Sequence, residues 1–395
     1  MPGRSRVAPH VADLPKSGIR KFFDLVAQSK DIVSLGVGEP DFDTPWHISR
    51  AAVTCLENGG THYTSNLGTP ALRQAIVRYL GRRFSAQFDW RSEVLVTVGV
   101  SEAIDLAIRA ICSPGDEVLY HEPCFVSYAP TIRLAHAVPV AVSTGAKDDF
   151  RLTVEALERC VTPKTRAILL NFPCNPTGAT LSGADMERII DFAGRHDLII
   201  LADEVYSELN YEAEDAPLPS FAGFPSAKDR VVLLNGFSKS WAMTGYRLGY
   251  ACGPGDIIDA MMKIHQYGIM SAPTLSQAAG VEAMDFGDKD VARMKNEYRR
   301  RRDYLWTSLT RIGLETILPK GAFYMFPCVR NTGMGDEEFA LKLLKEHGVA
   351  CVPGSAFGAS GAGFVRMSYA TSMEKLRLAV ARISEMLLNR LPTPH

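Results

Sequence analysis

The chain has almost no net charge, no paired cysteines and no long apolar run, and each absence removes a class of function. Its 43 Lys and Arg stand against 44 Asp and Glu, leaving a formal charge of -1. There is no basic excess to attract nucleic acid, whose binders carry a positive patch or stripe. The eight cysteines fall singly at Cys55, Cys112, Cys124, Cys160, Cys174, Cys252, Cys328 and Cys351. None forms the C-x-x-C pair of a zinc or redox site, so no metal is expected. Set among Ala, Val and Leu, they read as small buried hydrophobes of a reducing compartment. No apolar segment approaches the roughly 20 residues that span a bilayer. Arg4 and Arg6 are not followed by an apolar stretch, so a secretory signal is not expected. What remains is a cytoplasmic enzyme with no membrane or nucleic-acid partner, and 395 residues allow it two domains.

The middle of the chain alternates β-rich runs with helix-period segments. Strands are predicted at Glu93–Gly99, Glu117–His121, Val138–Ser143, Ala167–Phe172, Leu198–Asp203 and Val231–Gly236. Several are nearly continuous in Val, Ile and Leu, as strands buried on both faces are. Helices are predicted between them at Ser101–Cys112, Phe125–His136, Val154–Cys160 and Ala184–His196, with Thr153 as a capped start. This is the grammar of an α/β fold, a mostly parallel sheet flanked by helices. Near Ser276 it changes to a long charged helix ending about Ile312, a strand at Gly321–Pro327, a helix at Glu337–His347, a strand at Gly363–Tyr369 and a closing helix from Met373. The division expected is an N-terminal arm over residues 1–30, a large domain over 31–275 and a smaller α+β C-terminal domain over 276–395. The Arg299–Arg302 run reads as the solvated face of the long helix.

Five places carry chemistry. Lys239 lies just past a buried strand in Asn235-Gly-Phe-Ser-Lys-Ser-Trp-Ala-Met-Thr-Gly-Tyr-Arg247. A free lysine has a pKa of about 10.4, so burial or a nearby cation must lower it before the amine can act as base or nucleophile. Arg247, past the Thr244-Gly245 turn, offers a fixed fork to a phosphate; a solvated lysine and a surface ion pair would fit the same segment. Asp203 ends the run from Leu198, at the strand end where α/β folds bind ligands, though an Asp there can also cap a helix. Gly99 and Ser101 open a helix in Thr97-Val-Gly-Val-Ser-Glu-Ala, which suits an anion as well as a simple cap. Arg366 is a single charge in the apolar strand around it, and a bidentate clamp on a carboxylate would justify burying it.

These segments, in this order over nearly the whole length, resemble the class I aminotransferases of pyridoxal-phosphate fold type I. The resemblance implies pyridoxal 5′-phosphate held as a Schiff base on Lys239. It assigns Asp203 to the ring nitrogen and Tyr206, in Ala202-Asp-Glu-Val-Tyr, to the phenolic oxygen. Asn175, in Asn171-Phe-Pro-Cys-Asn-Pro-Thr-Gly178, would serve that oxygen and the substrate carboxylate. Gly99, Val100, Ser101 and Arg247 would hold the phosphate, and Phe125 would stack on the ring. Gly38, Tyr324 and Arg366 would bind substrate, and Tyr63 would reach the phosphate of a second subunit, implying a homodimer with shared sites. Amino acids of the aspartate or aromatic type and 2-oxo acids such as 2-oxoglutarate are the implied substrates. One departure stands out. Many relatives have Ser or Thr where this chain has Gly236, and Ser238 is expected to take over its contribution. A C–S β-lyase using the same lysine and a non-catalytic cofactor-binding regulator are the rival readings. A nicotinamide dehydrogenase would need a G-x-G-x-x-G turn after the first strand, which is lacking.

Overall fold

The computed structural model describes residues 6–14, 31–213 and 217–388. Most of the predicted N-terminal arm lies outside the described residues; of it, the short helix Pro9–Ala12 is described. The core of the fold is a seven-stranded sheet. Its strands are β2 (Val94–Thr97), β3 (Glu117–Glu122), β4 (Val138–Ser143), β5 (Thr165–Asn171), β6 (Ile199–Asp203), β7 (Val231–Gly236) and β8 (Gly249–Cys252), in the order β2-β8-β7-β6-β5-β3-β4. The pairings from β4 through β7 are parallel, and β8 runs antiparallel to both of its neighbours. All six predicted strands are present. Every residue of β7 is buried, whereas β4, at the sheet edge, exposes Val138, Ala141 and Ser143.

Register is what positions the site. Asn171 pairs with Asp203, and Asp203 with Leu234, so the C-terminal ends of β5, β6 and β7 lie level. In parallel sheets this edge faces the ligand crevice. The helix Gly99–Ile111 leaves β2 toward the same edge, beginning two residues before its predicted start. Thr153 caps the next predicted helix by accepting the N–H of Ala156, and that helix ends at Glu158, before Cys160. Ser182 and Asp185 form a reciprocal capping box on the helix Gly183–Arg195.

The C-terminal part carries a three-stranded antiparallel sheet of β9 (Tyr324–Met325), β11 (Val352–Pro353) and β12 (Val365–Ser368). Beside it, β1 (Val33–Ser34) pairs in parallel with β10 (Val349–Ala350). Val33 and Leu35 pack into one core with Leu376, Ala379 and Ile383, whereas Ala279 and Ala283 of the helix Thr274–Phe286 pack with Leu72 and Leu248. We therefore propose that the smaller unit starts at the helix Asp288–Arg311 and takes in residues 31–36, rather than starting at 276.

The arginine run is not simply a solvated face. Arg300 is exposed, but Arg301 is buried. Arg301 Nη1 donates to both carboxylate oxygens of Asp41, at 2.7 and 2.9 Å, and its Nε donates to Glu297 at 2.8 Å. Its guanidinium also lies 5.2 Å from the ring of Phe42. The helix thus grips the loop that covers the site. Arg301→Ala is expected to destabilise the protein by about 2 kcal/mol, because it strands the Asp41 carboxylate, and Arg300→Ala by no more than about 0.5 kcal/mol. Denaturant unfolding of the two variants checks this, and equal effects would contradict it.

Candidate active site

Twelve of the fourteen residues singled out by sequence line one cavity of about 380 Å³ at the C-terminal edge of the sheet. The other two are Gly99, which lies just behind it, and Tyr63, which is 83% exposed on the surface. The half-buried Lys239 sits in the turn after β7 and donates from Nζ to the carbonyl of Gly38 at 2.9 Å. Burial pushes its amine down from 10.5 to about 8. Glu39 opposes that shift, and Arg366 and Arg247 add to it.

Opposite stands Asp203, the last residue of β6. Its Oδ2 accepts from the Tyr128 hydroxyl at 2.6 Å and its Oδ1 from the Val205 N–H at 3.2 Å. Burial raises its carboxyl to about 6, against these hydrogen bonds and the pull of Lys239. Neighbouring Glu204 turns to another segment, accepting the N–H of Phe221 at 2.8 Å.

Arg366 projects from β12 and is buried. Its Nη1 donates to Asn175 Oδ1 at 3.0 Å and its Nη2 to the Gly36 carbonyl at 2.6 Å. The guanidinium lies 4.6 Å from the Tyr324 ring, and its Nε is buried without a partner. No carboxylate pairs with it among the described residues, so its charge is available to an anion. The hydroxyls of Tyr206 and Tyr324 are 2.8 Å apart.

The opposite end of the cavity is a backbone turn. Gly99 has φ 76°, and a Cβ there would lie 2.8 Å from Nη2 of Arg247. Any larger residue would be strained and would collide with the guanidinium. Val98, at the helix cap, has no side chain that could accept from the first N–H groups of the helix. The departure at Gly236 also has a steric reason. A Cβ there would come within 2.9 Å of Val100 Cγ2 and 3.0 Å of the Leu248 carbonyl, so no hydroxyl residue fits. Ser238 does line the cavity.

Sequence reasoning passed over two residues that hold this site together. Tyr128 was visible three residues after Phe125, but nothing local shows that it reaches Asp203. Asn171 accepts the Asn175 N–H and donates to the Asp203 carbonyl, both at 3.0 Å, and its own N–H is received by Nε2 of His121 at 3.1 Å. Burial pushes the His121 imidazole down to about 4, leaving that acceptor free at neutral pH. The signal for Asn171 was its place at the end of a strand level with Asp203.

An α/β protein with a deprotonatable lysine, a buried carboxylate and two guanidinium groups around one cavity, neither guanidinium paired with a carboxylate among the described residues, has the makings of an enzyme for small anionic amines. The family to which it belongs follows from comparison. The family model described as aminotransferase class I and II matches residues 30–383, and the chain belongs to that family. It is 48% identical to the putative aminotransferase YugH of Bacillus subtilis, over 97% of this chain and 98% of that protein. It is 45% identical to the aspartate aminotransferase of Pyrococcus abyssi, over 94% and 95%. The crystal structure of an aromatic aminotransferase from Pyrococcus horikoshii superposes with a TM-score of 0.89 at 45% identity, over 93% of this chain and 99% of that one. The protein is a transaminase. Among the described residues no helix is long and apolar enough to cross a membrane, and no cluster could hold a metal.

The position of Lys239 gives a pH dependence. Its amine keeps its proton below pH 8 and loses it as pH rises through about 8, whereas a free lysine would keep it to 10.5. Acylation of Lys239 by an amine reagent, read by peptide mapping of the protein without ligand, should climb through a midpoint near 8 and then level off. A midpoint near 10.5 would show that burial does not tune this amine.

Proposed function

We propose that the chain is a pyridoxal-5′-phosphate-dependent aminotransferase of aspartate and aromatic amino acids, with 2-oxoglutarate as acceptor, working as a cytoplasmic homodimer. The observation that carries this reading is the meeting of three groups in one cavity: the Lys239 amine, the Asp203 carboxylate and the Arg366 guanidinium, which no carboxylate among the described residues pairs with. The residues fit the cofactor. Asp203 is a buried anion facing the cavity with no cation in hydrogen-bonding range, as a ring-nitrogen partner should be. The turn at Gly99, beside Arg247, leaves room and donors for a phosphate. Phe125 and the Tyr206 hydroxyl border the space between.

When bound, pyridoxal 5′-phosphate supplies a carbon to which amines attach and a protonated ring that takes up the electron pair left as Cα loses its proton. Lys239 would hold it covalently until an incoming amino acid takes its place. Freed Nζ, neutral in part at pH 7 to 8, then removes the proton from substrate Cα, and in the return half-reaction gives one back to Cα of the new amino acid. Asp203 would keep the ring nitrogen protonated. Arg366 and Asn175 would fix the α-carboxylate and so aim the Cα–H bond at Nζ. The aspartate and aromatic range is supported by the names of the relatives.

The dimer is supported by the surface. Tyr63 (83% exposed), Tyr267 (88%), Ile269 and Met270 are uncovered. Asn66 Nδ2 bonds the Met270 carbonyl and Thr274 the His62 carbonyl, joining them into one face.

Borohydride reduction of the yellow protein should fix the pyridoxyl group on Lys239, and label elsewhere would end this reading. Turnover should require a 2-oxo acid; pyruvate and ammonia released without one would mark a lyase instead. Asp203→Asn should retain cofactor yet lose roughly a thousandfold in kcat. Arg366→Lys should raise KM for every amino acid about tenfold or more with cofactor retained, since a point charge cannot replace a two-bond fork. A loss of only a few-fold in kcat for the first, or an unchanged KM for the second, would remove that residue from its assigned role.

A further inference from the structure

Behind the turn at Gly99 lies a pair of ionisable side chains that the reaction does not use. Glu102, one turn into the helix Gly99–Ile111, folds its Oε2 back to the N–H of Val98 at 2.5 Å. Its Oε1 meets Nδ1 of His265 at 2.7 Å. A carboxylate can only accept, so the imidazole donates from Nδ1. His265 belongs to the helix Gly255–Gly268 and is completely buried, with its Nε2 lacking a partner. From the other side, Thr97 Oγ1 donates to the Gly99 carbonyl at 2.9 Å.

The geometry has a cost that calls for a reason. A helix start with no side-chain cap offers its first N–H groups to an external anion, and a carboxylate one turn away weakens that attraction. Glu102 nonetheless points into this turn, and a second helix commits a buried histidine to holding it there. What the arrangement achieves is directional. The Val98 N–H is turned inward and satisfied, the Gly99 carbonyl is tied down by Thr97, and the N–H groups that follow are left facing the cavity. The histidine draws the carboxylate toward the protein interior, away from the anion.

We infer that Glu102 and His265 are positioning residues that set the phosphate-binding turn Val98–Ser101. This rests on the reading of that turn as the cofactor's phosphate site. Neither residue touches the ring or the substrate, and their effect is confined to the anionic end of the ligand.

The test compares two ligands that differ only in the phosphate. Dissociation constants of pyridoxal 5′-phosphate and of pyridoxal are measured by absorbance on the apo form of the full chain. In Glu102→Ala the phosphorylated ligand should bind about tenfold more weakly, and pyridoxal less than about twofold. Glu102→Gln keeps an acceptor for the Val98 N–H and should recover most of the loss. His265→Leu should repeat the phosphate-selective defect, and His265→Asn, which keeps a donor at the Nδ1 position, should largely restore it. Equal weakening of both ligands, or no weakening of either, would overturn the positioning role. A wild-type protein that binds pyridoxal as tightly as its phosphate ester would instead overturn the phosphate site itself.

Discussion

A carboxylate taken out of water needs compensation, and at Asp203 the protein supplies only part of it. The Tyr128 hydroxyl and the Val205 N–H satisfy its oxygens, but no cation comes within hydrogen-bonding range, and burial weakens its acidity despite the more distant pull of Lys239. Across the cavity the imbalance is reversed. Burial lowers the Lys239 amine's hold on its proton, Arg366 and Arg247 add to that, and Glu39 and Asp203 oppose it. The charge pattern is therefore polar: the Asp203 carboxylate stands on one wall, and Lys239, Arg247 and Arg366, with Glu39 beside them, line the rest. A ligand with a cationic ring toward Asp203 and anionic groups toward the two arginines relieves both walls at once. Burial of the unbalanced charges sets selectivity, since a ligand of any other polarity would worsen them.

The supports of this pattern are shared. Asn171 bonds the chain on both sides, to Asn175 toward Arg366 and to the Asp203 backbone at the end of β6, and His121 holds Asn171 from a third strand. Arg366 then joins Asn175 to Gly36. One continuous set of hydrogen bonds thus runs from β3 of the large sheet to the segment after β1 beside the small one. Displacing any member shifts groups that act on opposite ends of the same substrate.

The parts of this that sequence shows are those with local or periodic causes. Strands buried on both faces declare themselves by runs of Val, Ile and Leu, and all six predicted ones are present. β8 did not, because Gly249-Tyr-Ala-Cys252 is short and carries little β preference. Helix ends moved by a few residues where a cap decided them. Tyr324–Met325 is all of the predicted Gly321–Pro327 strand that joins a ladder. At the site, Asp203, Lys239 and Gly99 could be singled out because they stand at a strand end, just past one, or in a glycine turn. Tyr128, Asn171, Glu102 and His265 were not, since their meaning lies in contacts between distant segments. Arg301 misled for the same reason: its partner Asp41 is 260 residues away.

The bond from Arg366 to Gly36 has a consequence in time as well as in space. Its two ends are separated by 330 residues. At a synthesis rate of roughly 5–20 residues per second, the segment holding Gly36 waits on the order of tens of seconds for its partner to leave the ribosome. All strands of the large sheet are synthesised within that interval, but the Arg366–Gly36 bond cannot form in it. That bond is thus among the last contacts the growing chain can close, and it ties the segment after the earliest described strand to the latest one.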